Sequence, residues 1–260
     1  HCTVFEEKQH LGGMLRYGIP NYRFPRERLQ EDIDAILATG VEVKMNQNIG
    51  TEEMKEIHKF YDATYVAIGA HTDKKLGLEG EDSKNVISAV DMLREIGDGK
   101  YPDYTGKRVV VVGGGSVGLD VIEYFAPRGA ECTIIDMLPQ IGMLADPITK
   151  CSMRETHDKY GVKEYVNTAL QEVKENAFTV KLPDGQIKDM EFDLGFNCLG
   201  MRSNNPVLPG LEEAFKDTET YVYTIGDSVR ARRIMEGTME GRAILNVLES
   251  QGYLHLEPLE

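Results

Sequence analysis

Apolar residues along the chain occur in continuous runs and at helical spacing, and together these patterns predict an α/β fold. Four consecutive valines at 109–112 form a continuous run, which is typical of a parallel strand buried on both faces. The run CTIID, which ends at Asp136, predicts a second strand of this kind. Between them, a helical pattern begins at Ser116 and is ended by Pro127 and Gly129. The order strand, helix, strand indicates one βαβ unit of a parallel sheet.

The same patterns predict elements in the rest of the chain. Residues 163–192 contain the strand-like segments KEYVNT, ALQEV, AFTVKL and IKDMEF, with the turn PDG between the last two. They predict a three-stranded β-meander added to the parallel sheet. Further strands are predicted at 2–6, 41–46, 59–70 and 220–227, and helices at 25–39, 85–96, 147–160 and 235–251.

Two polar segments, 71–82 and 201–210, are interpreted as crossings between two domains. Residues 1–72 and 201–260 are therefore predicted to form one discontinuous domain. Residues 73–200, which contain the βαβ unit and the meander, are predicted to form the other.

Three glycines follow the valine strand and open the helix with the spacing G-x-G-x-x-G. Gly113 permits a tight turn, Gly115 lets a pyrophosphate approach the backbone, and Gly118 lets helix and strand pack closely. The helix N-terminus offers free N–H groups and a positive dipole end to phosphate. Eighteen residues after Gly118, Asp136 can accept the hydroxyls of a ribose. The pattern favours a dinucleotide site over the alternative, a glycine-rich turn in another kind of α/β sheet.

Composition excludes several classes of protein. The formal charge of −14 argues against nucleic acid and anionic membranes as partners, because both require a basic face. No apolar run approaches the length of a membrane span, so the chain is expected to be soluble, and reduced thiols in a cytoplasmic protein are the simple account of its cysteines. The cysteines are scattered without a C-x-x-C pair, which leaves a disulfide framework, a zinc site and a redox dithiol unsupported. They are Cys2, Cys132, Cys151 and Cys198.

The first predicted strand ends at Glu6, the same strand-then-acid arrangement as at Asp136. No glycine-rich turn and helix precede it. We therefore expect a first domain that is incomplete by about thirty residues of a βα unit belonging to a longer protein. The alternative is an ordinary edge strand at a true N-terminus.

The motifs quoted so far, with several longer segments, resemble the two-domain flavin and nicotinamide oxidoreductases of the glutathione-reductase-like fold. VFEEKQHLGGMLRYGIPNYRFPRERL is similar to the small, beta subunit of glutamate synthase. IIDMLPQIGMLADP, LGMRSNN and IGDSVRARRIMEGTMEG look more like the C-terminal reductase part of 2-enoate reductase and dienoyl-CoA reductase. The resemblance implies two Rossmann-like domains, FAD and a nicotinamide nucleotide.

What the resemblance implies for individual residues follows the matched motifs. The nicotinamide nucleotide is expected at Gly113, Gly115, Ser116, Val117, Gly118 and Asp136, with Asp120 near the nicotinamide ribose. FAD is expected at Glu6 (adenosine ribose), Gly12, Gly13, Leu15 and Arg16 (pyrophosphate), Ile49 (adenine), and Gly226 and Asp227 (ribityl and phosphate portion). Ile234, Met235 and Glu236 are expected at the helix start that faces the flavin ring, and Gly69 and Gly200 are further cofactor positions.

The implied reaction is hydride transfer from the nicotinamide to FAD, for which no acid or base residue is needed. The expected electron acceptor is an iron–sulfur cluster or second flavin (FMN) elsewhere in the parent protein. A non-catalytic nucleotide-binding regulatory or assembly module is the alternative. Asp136 begins the segment DMLPQ, which contains no Arg or Lys, and this favours NADH over NADPH because a carboxylate repels a 2′-phosphate.

Without its first βα unit, the chain is expected to bind FAD weakly and to associate with itself through exposed apolar surface. Two sets of residues have two interpretations each. One set, Arg230, Arg232 and Arg233, forms either a binding site for a substrate phosphate or a solvated loop. The other set, Tyr17, Tyr22 and Phe24, either lines the flavin site or packs in the core.

Overall fold

A computed structural model describes residues 1–61, 63–70, 72–101, 103–203, 205–218, 220 and 222–252. Its strands are β1 Thr3–Glu6, β2 Glu42–Met45, β3 Thr72–Asp73, β4 Val86–Ser88, β5 Arg108–Val112, β6 Glu131–Ile135, β7 Lys163–Tyr165, β8 Ala169–Lys174, β9 Ala177–Lys181, β10 Ile187–Glu191, β11 Leu194–Asn197 and β12 Met201–Arg202. Its helices are α1 Gly13–Tyr17, α2 Arg26–Leu37, α3 Thr51–His58, α4 Ala89–Gly97, α5 Ser116–Phe125, α6 Pro147–Tyr160, α7 Leu208–Phe215 and α8 Ile234–Ser250.

The chain divides into two compact units. The first unit consists of residues 1–2, 10–42 and 73–200, and the second of the described residues in 3–9, 43–72 and 201–260. The division into domains by cofactor, with residues 1–72 and 201–260 in one and 73–200 in the other, stays a prediction.

A five-stranded parallel sheet forms the centre of the first unit, in the order β4-β11-β5-β6-β7. The valine run of β5 is apolar throughout because both of its faces are covered. Val109 and Val111 pack with the apolar faces of α4 and α5, whereas Val110 and Val112 pack with Phe178 and other residues of the meander. Burial on both faces is the physical reason that this strand lacks polar alternation.

The predicted meander is confirmed as the antiparallel sheet β8-β9-β10. The first of the four strand-like segments, KEYVNT, forms β7 and joins the edge of the parallel sheet instead. The predicted helix at 147–160 is confirmed with the same bounds; Asp146 caps its start and Gly161, at φ 64°, ends it. Proline at the first position and a left-handed glycine after the last residue are common start and stop signals of a helix.

The helix predicted at 85–96 begins later than expected. Val86 and Ile87 belong to β4 and pair with β11, and Ser88 then caps α4 by accepting a hydrogen bond from Asp91 N–H at 3.0 Å. Local spacing favours a helix through the whole segment, but the unpaired edge of β11 accepts the first residues as a strand.

The strands predicted at 59–70 and 220–227 are wrong for the residues that the structure describes. Lys59 is the C-cap of α3, and residues 63–70, 220 and 222–225 have no regular secondary structure. A strand requires a neighbour to hydrogen-bond with, and none of the described strands pairs with these segments. Alternating apolar residues are therefore not sufficient to form a strand here.

No helix in the described ranges is both long enough and apolar enough to cross a membrane. The same residues contain no group of three or more His, Cys, Asp or Glu side chains that could hold a metal ion. Their four cysteines are free thiols, two of them exposed and two buried.

Candidate nucleotide-binding site

The glycine-rich turn lies between β5 and α5, in the middle of the parallel sheet. Gly113 has φ 108°, and its N–H donates to the carbonyl of Ile135 at 2.8 Å, which fixes the turn to β6. A Cβ atom at this position would lie 2.4 Å from the carbonyl oxygen of Cys198. Backbone conformation and lack of space therefore both require glycine at the end of β5.

The other two glycines of the motif have different environments. A Cβ atom on Gly118 would lie 2.0 Å from the carbonyl oxygen of Gly113 and 3.2 Å from Val111 Cγ1, so α5 packs on β5 without room for a methyl group. No atom lies within 4 Å of the place where a Cβ of Gly115 would be. Gly115 therefore borders open space in front of the helix.

The start of α5 differs from that of the helices on either side of it in the chain. Ser88 and Asp146 cap α4 and α6 with side-chain oxygens, whereas α5 starts from Gly115, which has no side chain to do so. The first-turn N–H groups, at Ser116 and Val117 among others, therefore have no side-chain acceptor at the helix start. This arrangement fits a bound pyrophosphate, because an anion would accept those hydrogen bonds.

Asp136 is held against the glycine-rich turn. Its Oδ2 atom accepts a hydrogen bond from Gly114 N–H at 2.6 Å, and Oδ1 accepts one from Leu138 N–H at 2.8 Å. Because each carboxylate oxygen has a second lone pair, the partly exposed side chain can still accept hydroxyl groups. The acid and the glycines predicted from the sequence thus lie in one place.

Asp120 occupies the second turn of α5 and is buried, with 7% of its surface exposed. Arg23 Nε lies 2.6 Å from its Oδ1 atom, although the N–H of that nitrogen forms its hydrogen bond with Glu123 Oε2 at 3.0 Å. Burial raises the pKa of Asp120 to about 7; the charge of Arg23 opposes this shift and that of Glu123 adds to it. Tyr22 donates its hydroxyl to the carbonyl of Asp120 at 2.7 Å.

The predicted role of Asp120 beside the nicotinamide ribose stays a prediction. Arg23 and Glu123, its charged neighbours, were missed by the sequence-based assignment. Glu123 could have been found, because it lies one helical turn after Asp120 on α5. Arg23 is about a hundred residues away in the chain, and no local pattern connects the two.

Five predicted FAD positions lie in the first unit. Gly12, at φ 116°, precedes α1, and a Cβ there would lie 2.8 Å from Leu29 Cδ2. Arg26 donates to the carbonyls of Leu15 and Ile19 at 2.8 and 2.9 Å and so holds this segment in shape. Arg16 has a buried Nε atom with no hydrogen-bond partner in the described part of the chain, which fits a bound anion at this segment. Gly13 begins α1, and Gly200 accepts a hydrogen bond from Lys74 N–H.

The other predicted FAD positions lie in the second unit. Glu6 ends β1, and its carboxylate accepts a hydrogen bond from Lys8 N–H at 2.8 Å. Gly226, at φ 68°, donates its N–H to Glu240, and Asp227 accepts a hydrogen bond from Arg232 N–H at 3.0 Å. Ile49 and Gly69 lie outside regular secondary structure. Ile234 and Met235 lie at the start of α8, and both are half-exposed. The assignment of both groups to one FAD site stays a prediction.

Two of the three arginines near residue 230 have acidic partners on α8. Arg232 is paired with Glu240 at 2.7 Å, and Arg233 with Glu236 at 2.9 Å. These pairs favour the interpretation as a solvated loop over that as a binding site for a substrate phosphate.

Comparison with known proteins identifies the family. The sequence pattern of the family described as "Pyridine nucleotide-disulphide oxidoreductase" matches residues 3–238. The chain belongs to this family. The pyridine nucleotide-disulphide oxidoreductases bind FAD and NAD(P)H and have a Rossmann-like fold. The predicted fold class and the resemblance to flavin and nicotinamide oxidoreductases are therefore confirmed.

Proteins named as a beta subunit and as a small chain are among the relatives of this chain. The chain is 40% identical over 132 residues, half of its length, to the NADP(+)-dependent formate dehydrogenase subunit beta of Moorella thermoacetica. It is 28% identical over 141 residues to the glutamate synthase [NADPH] small chain of Escherichia coli. Over 243 residues, 92% of its length, it is 26% identical to the NADH oxidase of Thermoanaerobacter brockii. The matches span 19%, 30% and 36% of these three relatives.

Several solved structures share the fold of this chain. A 2-naphthoyl-CoA reductase complex superposes with a TM-score of 0.77 at 22% identity, over 92% of this chain and 35% of that one. The bacillithiol disulfide reductase of Bacillus cereus superposes with a TM-score of 0.65 at 15% identity, over 96% of this chain and 91% of that one. At these identities the likeness shows the fold alone.

Proposed function

We propose that this chain is the NADH-oxidising, FAD-binding part of a larger oxidoreductase, which transfers hydride from NADH to FAD and passes the electrons to an iron–sulfur or FMN centre in another domain or subunit. The observation that carries the proposal is the turn between β5 and α5. There, the close packing of Gly118, the open space at Gly115 and the hydrogen-bonded Asp136 meet at a helix start without a side-chain cap.

The residues of the turn have separate tasks in the proposed site. The first-turn N–H groups of α5 bind the pyrophosphate, and Gly115 leaves the space for its approach. Asp136 accepts the ribose hydroxyls and repels a 2′-phosphate. These contacts orient the nucleotide, whereas FAD, when bound, supplies the acceptor for hydride.

The segment that contains Gly12, Gly13, Leu15 and Arg16 is proposed to bind the FAD pyrophosphate, with Arg26 holding its backbone. Glu6, Ile49, Gly226 and Asp227 are proposed as FAD contacts because their motifs resemble those of flavin oxidoreductases. The printed names of two relatives, a beta subunit of a formate dehydrogenase and the small chain of a glutamate synthase, support a partner subunit as electron acceptor.

The proposed function predicts reduction of the flavin by NADH. In the FAD-loaded full-length protein under anaerobic conditions, NADH is expected to bleach the flavin absorbance with saturation kinetics, because the nucleotide site supplies the reductant. Stopped-flow absorbance measures the reaction, and the same protein without NADH is the control. A flavin whose absorbance stays unchanged at saturating NADH would identify a regulatory or assembly module without turnover.

The preference for NADH predicts an effect at Asp136. Replacing Asp136 with asparagine, which keeps one acceptor oxygen and removes the charge, is expected to lower the ratio of NADH to NADPH affinity by about tenfold, because repulsion of the 2′-phosphate is lost. Asp136→Ala should relax the ratio in the same direction. Fluorescence titrations with both nucleotides measure the change.

Asp158→Asn, an equal charge change at an exposed position of α6, is the matched control and should leave the ratio unchanged. Relatives named for NADH and for NADPH both occur, so the nucleotide is not decided by their names. Tighter binding of NADPH than of NADH by the unchanged protein would show that the assignment at Asp136 is wrong.

A further inference from the structure

Asp120 is a buried carboxyl group directly behind the proposed pyrophosphate site. It lies four residues after Ser116, which is a rise of about 6 Å along α5. Its Oδ1 atom has no hydrogen-bond partner in the described part of the chain, although Arg23 Nε lies 2.6 Å away. A buried carboxylate without full hydrogen bonding is unstable in its charged form, and it is stabilised by a proton or by a nearby cation.

The charged side chains that act on Asp120 are Arg23, which faces it from the segment between α1 and α2, and Glu123 on its own helix. Two further titratable groups are near and neutral, since burial raises the pKa of both Tyr22 and the Cys198 thiol. The strands and helices packed on the other sides of α5 contribute apolar residues to the core there. The charge of this cluster near neutral pH therefore depends on the protonation of Asp120.

An open surface groove lies beside the cluster. Tyr22, Arg23 and Glu123 line an open groove with a volume of about 550 Å³ on the surface of the first unit. The groove therefore brings solvent to Arg23, whose Nε lies 2.6 Å from Asp120 Oδ1.

We propose that Asp120 couples nucleotide binding to proton uptake: a dinucleotide that binds at the glycine-rich turn favours the protonated carboxyl group, and Arg23 and Glu123 set the pH at which the proton is taken up. The inference rests on the proposed nucleotide site. The physical reason is charge, since an ionised Asp120 about one helical turn from the bound pyrophosphate opposes the attraction of the helix N-terminus.

The direction of the effect follows from the pKa of about 7. Below pH 7 Asp120 is mostly neutral and does not oppose the anion; as the pH rises through 7 it ionises, and affinity for NADH is expected to fall by about threefold to tenfold. By linkage, binding then lowers the acid dissociation constant of Asp120 by the same factor, so its pKa rises. NADH binding near pH 7 should therefore take up about a quarter to a half of a proton.

Calorimetric titration of the full chain with NADH, in buffers of different ionisation enthalpy between pH 6 and 8.5, measures this uptake directly. NADH is the appropriate probe, because the 2′-phosphate of NADPH is itself expected to titrate near pH 6. Asp120→Asn should abolish both the uptake and the decline of affinity with pH. Asp158→Asn, with the same charge change at an exposed site, should leave both unchanged.

Two further variants separate a charge effect from a structural one. Arg23→Gln removes the cation that lowers the pKa of Asp120 and should move the midpoint of uptake to higher pH. Glu123→Gln removes the anion that raises the pKa and should move the midpoint to lower pH. A purely structural role of the cluster would not shift the midpoint in opposite directions.

The unchanged protein and Glu123→Gln suffice if Asp120→Asn or Arg23→Gln does not fold. NADH binding without proton uptake between pH 6 and 8.5 would overturn this inference and leave the nucleotide site intact. Absence of NADH binding at any of these pH values would overturn the proposed nucleotide site and the coupling with it.

Discussion

Replacement of Gly118 by alanine is expected to destabilise the protein by about 3 kcal/mol or more. The added methyl carbon would lie 2.0 Å from the carbonyl oxygen of Gly113, which belongs to the backbone of the turn and cannot turn away as a side chain does. Relief of this overlap requires α5 to move away from β5, and the buried contacts of Leu119 and Ile122 are weakened as a result. Unfolding by urea, followed by far-UV circular dichroism, measures the loss; the chain contains no tryptophan to report it.

Gly115→Ala is the matched control for Gly118→Ala, because it places the same methyl group in the same motif. No atom lies within 4 Å of that methyl position, and Gly115 has an ordinary φ of −81°. Stability is expected to change by less than about 1 kcal/mol, whereas NADH affinity should fall at least about tenfold because the methyl group occupies the approach to the helix start. An unfolding midpoint of Gly118→Ala equal to that of the unchanged protein would contradict the close packing of α5 on β5.

Replacement of Glu81 by alanine is expected to cost about 3 to 5 kcal/mol of stability. Glu81 is buried, and its two carboxylate oxygens accept four hydrogen bonds. The donors are the backbone N–H groups of Leu76, Gly77 and Leu78, at 2.8 to 3.1 Å, and Asn197 Nδ2 at 2.6 Å. Alanine would leave these donors without their acceptor and release the loop from the end of β11.

The neighbouring residue supplies the control for Glu81→Ala. Asp82 is exposed, and its contact is a surface ion pair with Lys75, so Asp82→Ala should change the stability by less than about 1 kcal/mol. Glu81→Gln, which keeps one acceptor oxygen and turns an amide toward backbone donors, should give an intermediate loss. Equal stability of Glu81→Ala and Asp82→Ala in urea unfolding would show that the buried carboxylate does not hold the loop.

Local patterns predicted the centre of the first unit well, because its elements depend on residues close together in the sequence. The valine run of β5, the helix from Ser116 and the helix from Pro147 to Tyr160 all have strong signals of apolar periodicity or capping. Prediction was wrong where a strand depended on a partner. Residues 63–70 carry a strand-like pattern without a described neighbour, while Val86 and Ile87 carry a helical pattern and pair with β11.

The candidate site shows the same difference between local and distant contacts. Gly113, Gly115 and Gly118 were predicted from their spacing, since the steric requirements of a strand–turn–helix junction act within six residues. The ion pair between Asp120 and Arg23, and the four hydrogen bonds of Glu81, were not predicted. The ion pair and the hydrogen bond from Asn197 join side chains that are brought together only by the packing of separate segments, whereas the other three donors to Glu81 are backbone N–H groups within five residues of it.

The order of residues was enough to predict the family, the parallel sheet with its glycine-rich turn and the acid after the second strand. These features depend on residues close together in the sequence, because backbone conformation and apolar periodicity involve neighbouring residues. Which polar groups are buried together depends on the packing of segments that are distant in the sequence. This packing placed Arg23 beside Asp120, set the pKa of that carboxyl near 7 and tied the loop at Glu81 to Asn197. Burial and charge act through space, so their effects on these residues depend on the fold as a whole.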